Sequence, residues 1–240
     1  MHASTLLAAV LAGTAAAQTL TIPKANGSKT VLSSPSIISG VKDFANREFD
    51  RGHSCGLDVE RPNPQVFILE NGATLSNVII GINAVEGVQC KGSCTLRNVW
   101  FRDVCEEAIV PLGTGNVLIE GGGAKGGSGD SIVNHRGASG TITIKDFTVI
   151  GGNKLFDSCG NCRNNGSPRN VILQNVKASS VTTLVGINSN FGDVSTISGS
   201  CGSGVSKVCQ EFRGVATSGA QAVKVSTTAN CKGQASLPAC

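Results

Sequence analysis

The feature that most constrains the fold is a short phrase that recurs along the chain. An aliphatic residue, a polar residue, Asn and Val follow one another in Leu75-Ser-Asn77-Val78, Leu96-Arg-Asn98-Val99 and Leu173-Gln-Asn175-Val176. The leading aliphatic position and its equivalents lie 21, 21, 27, 29 and 24 residues apart, at Leu75, Leu96, Val117, Ile144, Leu173 and Ile197. Repeats of this length are typical of stacked architectures, in which each repeat buries its apolar face against its neighbours.

Short strands separated by turn residues fill the repeat region. Alternation of apolar and polar residues predicts strands over 66–69, 73–80, 95–101, 117–119, 141–150 and 171–176. The aliphatic residues should then stack as an inward ladder of Leu75, Leu96, Val117, Ile144 and Leu173. Asn77, Asn98 and Asn175 should occupy a recurring turn, because Asn tolerates the left-handed backbone. We expect an all-β fold, a right-handed single-stranded parallel β-helix. A β-sandwich is the alternative, and the aligned repeats disfavour it.

The amino terminus reads as a secretory signal peptide over residues 1–17. An apolar run from Thr5 to Ala12 is followed by the small residues Ala15 and Ala17, which fit a cleavage site. The alternative is an amino-terminal core helix. The repeats continue without a Pro- or Ser-rich linker, so residues 18–240 are expected to form one domain. We therefore predict a secreted, extracellular protein.

The ten cysteines are consistent with export. An even number in a secreted chain predicts disulfides, although their connectivity stays open. A zinc site formed by Cys90, Cys94, Cys159 and Cys162 is the alternative, and the last two also resemble a redox CxxC motif. The four cysteines from Cys201 onward should hold down the less regular tail. Sequons for N-glycosylation occur at Asn26 and Asn165.

Charge and composition limit the partners. The net charge of +4 suits an acidic polymer, either nucleic acid or a polyuronate. The chain has no Tyr, one Trp and no dense Lys/Arg run, so stacking platforms for bases are scarce and we expect no nucleic-acid partner. No later segment approaches the roughly 20 apolar residues of a membrane span, so we expect no membrane partner. The protein is also expected to be a monomer.

Acidic residues are concentrated in the segment from Thr95 to Ala108. Asp103, Glu106 and Glu107 are three acidic residues within five positions. Carboxylates brought to one level of a stack of strands form a natural site for a hard cation. The segment therefore predicts calcium as a cofactor.

Several motifs resemble the small calcium-dependent pectate lyases of polysaccharide lyase family three. The similar blocks are FILENGATLSNVIIG (67–81), EGVQCKGSCTLRNVW (86–100), VCEEA (104–108), SCGNC (158–162), VGINSNFGD (185–193) and KVCQEFRG (207–214). The resemblance implies a right-handed parallel β-helix. It also implies calcium-assisted β-elimination on polygalacturonate, with a Lys or Arg that removes the C5 proton.

The resemblance carries a metal site onto particular residues of this chain. Glu86 takes the place of an acidic turn residue, and Asp103 and Glu107 retain carboxylates in a segment where Arg102 replaces a usual Glu. Asp130 retains a further candidate ligand. The calcium ligands implied are Glu86, Asp103, Glu107 and Asp130.

The cationic side of the site departs from the family pattern. Ser131 stands where the family has the lysine most often assigned as the base, and Asp157 stands where it has an arginine. Lys154 survives, and His135 or Arg136 could fill the space beside Ser131. The candidate catalytic residues are therefore Lys154, Arg136 and Ser131. Asp157 is expected to repel a polyanion.

The sequence is compatible with two functions. One is a secreted pectate lyase that cleaves de-esterified polygalacturonate to unsaturated oligogalacturonides. The other is a catalytically impaired relative that binds pectate or another cell-wall component, because Ser131 lacks useful basicity without a partner. A glycosidase acid pair in the CEE segment has no further support. The regular outward Thr ladders of a structural or ice-binding β-helix are absent from the sequence.

Overall fold

The protein is built from short strands in two parallel sheets. The computed structural model describes residues 19–55, 62–126, 131–216 and 219–240. The strands are β1 (Thr30–Val31), β2 (Ser36–Ile38), β3 (Val41–Asp50), β4 (Gln65–Leu69), β5 (Ala73–Ile80), β6 (Glu86–Cys90), β7 (Cys94–Val104), β8 (Glu107–Pro111), β9 (Val117–Gly126), β10 (Ser131–His135), β11 (Gly140–Lys145), β12 (Thr148–Ile150), β13 (Lys154–Ser158), β14 (Arg169–Gln174), β15 (Lys177–Ser179), β16 (Thr183–Asn188), β17 (Ser195–Ser198), β18 (Cys201–Ser203), β19 (Lys207–Arg213), β20 (Val223–Lys224) and β21 (Cys231–Gly233). A single 3₁₀ turn, Ser189–Phe191, is the helical element of the described residues.

The strands alternate between the sheets as the chain coils. One sheet follows the order β1-β3-β5-β7-β9-β11-β14-β17-β21, with β12, β15 and β18 beside that path, and the other follows β2-β4-β6-β8-β10-β13-β16-β19-β20. The strand pairs are parallel throughout the described residues, except for the antiparallel pair β19–β20. Each coil therefore adds a strand to each sheet, and the predicted right-handed parallel β-helix is confirmed. Within the described part of the chain, no helix has the length and apolar character needed to cross a membrane.

The interior is a stack of apolar side chains contributed by both sheets. The pairing aligns Leu75 with Leu96, Leu96 with Ile119, Ile144 with Leu173 and Leu173 with Ile197. The predicted place of Val117 in this ladder is wrong, because Val117 pairs with Cys94 and Ile142 two positions earlier. A slip of two residues keeps a side chain on the same face of a strand, so the apolar pattern could not detect it.

The predicted asparagine turn is confirmed. Asn77, Asn98 and Asn175 have φ values of 49°, 51° and 54°, and Asp146 occupies the equivalent place at 52°. Asn98 Nδ2 donates to Asn77 Oδ1 over 3.0 Å, and Asn175 Nδ2 donates to Asp146 Oδ1 over 3.1 Å. The left-handed residue at 146 divides the predicted strand 141–150 into β11 and β12.

Five disulfides fasten the coils. They are Cys55–Cys105, Cys90–Cys94, Cys159–Cys162, Cys201–Cys240 and Cys209–Cys231. The alternative of a zinc site is wrong, because its four cysteines pair with one another as disulfides. The last two bridges attach the tail to β18 and β19, as expected from the cysteines after 201. The predicted signal peptide lies outside the described residues.

Candidate functional site

The site is built on the first residues of successive strands in the nine-stranded sheet. Glu86 pairs with Glu107, Glu107 with Ser131, and Ser131 with Lys154. Adjacent strands lie about 4.8 Å apart, so these residues are neighbours in space although 21 to 24 residues separate them in sequence. We call this row of four residues the site ladder. It brings together two of the four predicted calcium ligands, Glu86 and Glu107, and two of the three predicted catalytic residues, Ser131 and Lys154.

Three carboxylates converge at one end of the site ladder. Each of Glu86, Glu106 and Glu107 offers an oxygen, and these three oxygens lie within 4.8 Å of one another. We call these residues the carboxylate group. Glu86 and Glu107 are only 6% and 4% exposed, whereas Glu106 is half-buried. Glu106 was not among the predicted ligands. It lies in the bend between β7 and β8, where strand alternation does not determine its direction.

The remaining predicted ligands are not part of this group. Asp103 is half-buried on β7, at an irregularity in the pairing with β9 between Phe101 and Val104, and it does not belong to the carboxylate group. Asp130 lies outside the described residues. Both assignments therefore stay predictions.

Polar neighbours hold the two buried carboxylates. Gln65 Nε2 donates to Glu86 Oε2 over 2.7 Å, and Asn134 Nδ2 donates to Glu107 Oε1 over 2.9 Å. Arg136 donates to the same Glu107 oxygen, and its Nη1 lies 3.8 Å from Glu86 Oε1. Burial raises the pKa of Glu86, and the charge of Glu107 raises it further, while the Gln65 hydrogen bond and Arg136 oppose the shift. A cation near the pair therefore stabilises the ionised form of Glu86, as Arg136 does here.

The chemistry of these donors fits calcium. Glu107 Oε2 and Asn134 Oδ1 are buried and have no hydrogen-bond partner among the described residues. Carboxylate and amide oxygens are the ligands that calcium prefers, and an unpartnered buried oxygen is costly unless it binds a cation or water. Glu86, Glu106 and Glu107 could hold the ion, with Asn134 beside them.

The other end of the site ladder carries Ser131 and Lys154. Ser131 is 2% exposed, and its Oγ has no hydrogen-bond partner among the described residues. Lys154 Nζ forms a 2.9 Å ion pair with Asp157 and lies 5.2 Å from the centre of the Phe212 ring. The carboxylate of Asp157 therefore faces a cation of this chain, which sequence reasoning did not anticipate. Gly186 provides the space, because a Cβ there would lie 2.8 Å from Asp157 Oδ1.

His135 cannot take the place of the missing base beside Ser131. It is fully buried, with its ring 6.5 Å from that of Phe156. Burial, together with the charge of Arg169, lowers the pKa of His135 to about 3. The suggestion that His135 fills the space beside Ser131 is therefore wrong, because the side chain belongs to the interior.

A buried polar network supports the strands behind the site, and sequence reasoning missed it. Arg169 is fully buried and donates to the carbonyl oxygens of His135 and Cys159 over 3.0 and 2.7 Å. Asp193 accepts hydrogen bonds from Ser158 Oγ at 2.5 Å and from the backbone N–H groups of Arg169 and Asn188, each at 2.9 Å. This network fixes the ends of β10, β13 and β16. No periodic signal distinguishes such residues from surface charges.

An open polar cavity of about 380 Å³ lies beside Asn134, the residue that donates to Glu107. Asn134, Lys154, Asp157, Asn188 and Phe212 are among its lining residues. Asn134 connects the cavity with the carboxylate group, because it lines the cavity and also donates to Glu107. A ligand in the cavity could therefore contact Lys154 on one side and approach the carboxylate group on the other.

Comparison with known proteins gives a consistent family. The family model described as pectate lyase matches residues 19–219. A probable pectate lyase E of Neosartorya fischeri is 47% identical over 196 residues, covering 80% of this chain and 75% of that protein. Pectate lyase E of Emericella nidulans is 42% identical over 224 residues, covering 91% of this chain and 86% of that protein.

Solved structures agree with the sequence relatives. The catalytic domain of pectate lyase PelI from Erwinia chrysanthemi superposes with a TM-score of 0.72 at 30% identity, covering 85% of this chain and 96% of that one. PelI in complex with tetragalacturonic acid gives a TM-score of 0.68 at 29% identity, covering 85% of this chain and 67% of that one.

Proposed function

Because the chain belongs to the pectate lyase family of polysaccharide lyases, we propose that it cleaves de-esterified polygalacturonate by calcium-assisted β-elimination. The products are unsaturated oligogalacturonides. The observation that carries this proposal is the juxtaposition of the carboxylate group with a cavity lined by Lys154. The five disulfides support export, and we propose that residues 1–17 are the signal peptide and that the mature protein is a monomer.

Different residues would bind calcium and contact the substrate. Glu86, Glu106 and Glu107 would hold calcium, and the bound ion would supply the positive charge that draws electron density from a uronate carboxylate and acidifies the C5 hydrogen. Asn134 orients Glu107 through its 2.9 Å hydrogen bond. Lys154 lines the cavity and would leave Asp157 to approach the bound sugar.

Removal of the C5 proton requires a neutral base. Lys154 is the candidate whose position in the cavity suits this step, once it has left Asp157 and its proton has passed to solvent. Ser131 lies between Glu107 and Lys154 in the strand pairing, and its burial and lack of basicity make it unsuited to accept the proton. The electron pair of the C5–H bond then forms the C4–C5 double bond, the bond from C4 to the glycosidic oxygen breaks, and the leaving oxygen takes a proton from solvent.

The test is formation of unsaturated product from polygalacturonate, followed by ultraviolet absorbance. We expect absorbance to grow with added calcium and to stop when EDTA is added. Absence of product across neutral to alkaline pH, from folded protein that still binds calcium, would refute the enzyme assignment.

The second candidate function is binding of pectate without turnover. The ion pair of Lys154 with Asp157 and the buried, non-basic Ser131 favour it. Calorimetry that detects oligogalacturonate binding by a protein with no measurable turnover would support this alternative. A Ser131→Lys, Asp157→Arg double variant should then gain activity, provided that the alignment of these positions with the family is right.

A further inference from the structure

The two most buried carboxylates of the site need a counter-charge. Glu86 and Glu107 are adjacent in the pairing of β6 with β8 and are 6% and 4% exposed. Two like charges held side by side away from water destabilise each other. The folded chain must therefore supply a cation, take one from solution or protonate one of the two carboxylates.

Arg136 supplies that charge in this structure. Its guanidinium donates to Glu107 Oε1 and lies 3.8 Å from Glu86 Oε1, so it spans both carboxylates. Its backbone is held separately, because Arg136 N donates to the carbonyl oxygen of Pro111 over 2.9 Å. The side chain is 35% exposed. The guanidinium can therefore leave while the strand end stays in place.

The guanidinium and a calcium ion need the same oxygens. Glu107 Oε1 accepts from both Asn134 and Arg136, and Glu86 Oε1 faces Arg136. An ion shared by Glu86, Glu106 and Glu107 would lie against these oxygens, since the three carboxylates offer atoms within 4.8 Å of one another. Two cations at that spacing repel, so occupancy by the ion disfavours the arginine.

We propose that Arg136 is an internal counter-ion that calcium displaces. In the calcium-free protein it holds the Glu86–Glu107 pair together, and on calcium binding it swings away from these oxygens. The released guanidinium, whose side chain is already 35% exposed, is then available to an anion such as a uronate carboxylate. This inference rests on the calcium site of the proposed function.

The test compares calcium affinity in three proteins by calorimetry at one pH and ionic strength. Arg136→Gln removes the competing cation and should bind calcium about tenfold more tightly, or better, than the wild-type protein. Arg97→Gln is the control, because Arg97 pairs with Glu120 in the other sheet and its loss changes the net charge equally. It should leave calcium affinity close to the wild-type value.

The same exchange should also change the unfolding temperature, which provides a second measurement. In EDTA, Arg136→Gln should unfold at a lower temperature than wild type, and saturating calcium should raise its unfolding temperature by more. Arg136→Lys keeps one charge without the planar fork and should fall between the two proteins in calcium affinity. It also serves as the test protein if Arg136→Gln does not fold.

The outcomes separate the two proposals. Equal or weaker calcium binding by Arg136→Gln overturns the exchange, because the arginine would then be neutral or supportive toward the ion. Failure of both wild type and variant to bind calcium overturns the calcium site itself, and with it the exchange. Tighter binding by Arg136→Gln supports the exchange whether or not the protein turns over polygalacturonate.

Discussion

His135 should make the folded protein sensitive to mild acid. Its ring is fully buried, and neither ring nitrogen has a hydrogen-bond partner among the described residues. Burial and the charge of Arg169 lower its pKa from 6.5 to about 3. Between these two values the unfolded chain binds a proton that the folded protein rejects. The stability contributed by the neutral ring is therefore present above pH 6.5 and is lost as the pH falls toward 3.

The size of the effect follows from the linkage of protonation to folding. Each pH unit below the pKa of the unfolded chain costs about 1.36 kcal/mol for one proton. At pH 5 the chain is 1.5 units below 6.5 and still well above 3. The free energy of unfolding should therefore fall by about 2 kcal/mol between pH 7 and pH 5 through this residue alone.

The assay is urea unfolding at several pH values between 7 and 5, in EDTA so that calcium binding does not contribute. Glu86, whose pKa is raised by burial, contributes with the opposite sign, but it is present in all the proteins and cancels from the comparison. His135→Gln and His135→Leu differ in polarity and in their own cost to stability. Both should lose about 2 kcal/mol less than wild type over this pH range.

The test compares how steeply the free energy of unfolding depends on pH in wild type and in the two variants. Parallel curves for wild type and both variants would show that His135 takes up no extra proton on unfolding. Burial of a neutral His135 ring would then not be what makes stability depend on pH, whatever the absolute stabilities of the variants.

Three further predictions concern the site and its surroundings. Lys154→Ala should lower turnover of polygalacturonate by about 10²–10⁴-fold, measured by product absorbance, while Lys177→Ala on an exposed part of the other sheet should not. Because burial raises the pKa of Glu86, calcium affinity should fall as the pH is lowered toward 5; Glu86→Gln should weaken binding and flatten that dependence in calorimetry. In protein secreted from a eukaryotic host, mass spectrometry of glycopeptides should find a glycan at the exposed Asn26 and none at Asn165. Asn165 Nδ2 already donates both of its hydrogens, to Cys159 O at 3.0 Å and to Val215 O at 2.8 Å. A fully occupied Asn165 would contradict this reasoning.

The repeat predicted the architecture because coil length and stacking are linked. A recurring Leu-x-Asn-Val phrase places one left-handed residue after each inward aliphatic position, and this is what the structure contains at Asn77, Asn98 and Asn175. The ladder failed at Val117, because the coil from Cys94 to Val117 is two residues longer than the coil from Ala73 to Cys94. The extra residues lie in a turn, where no periodicity records them.

Disulfide pairing could not be predicted for a related reason. Cys90–Cys94 and Cys159–Cys162 close local loops, which spacing alone allows. Cys55–Cys105 and Cys201–Cys240 span 50 and 39 residues, so their pairing depends on which coils are neighbours. Sequence spacing gives coil length only approximately, and an error of two residues is enough to separate two sulfurs.

The site was partly predictable because four of its residues form the site ladder. Glu86, Glu107, Ser131 and Lys154 share one register position, so alignment of the coils finds them together. Glu106 was missed because it lies in a bend, where the rule of alternating faces gives no direction. His135 was misjudged because a polar residue type carries no mark of burial, and only the packing around Phe156 and Arg169 places it inside.

Charge pairing within the site explains why substitutions that look inactivating are compatible with the fold. Lys154 pairs with Asp157, and Arg136 pairs with Glu107, so both cations face carboxylates of the chain itself. In the proposed function, Lys154 would leave Asp157 when a polyuronate enters the cavity, and in the proposed exchange calcium would replace Arg136 at Glu107. The guanidinium that calcium releases would then be able to bind a uronate carboxylate, so metal binding would favour polymer binding. The departures at Ser131 and Asp157 would therefore change how charges are paired in the site, and would not simply remove two cations from it.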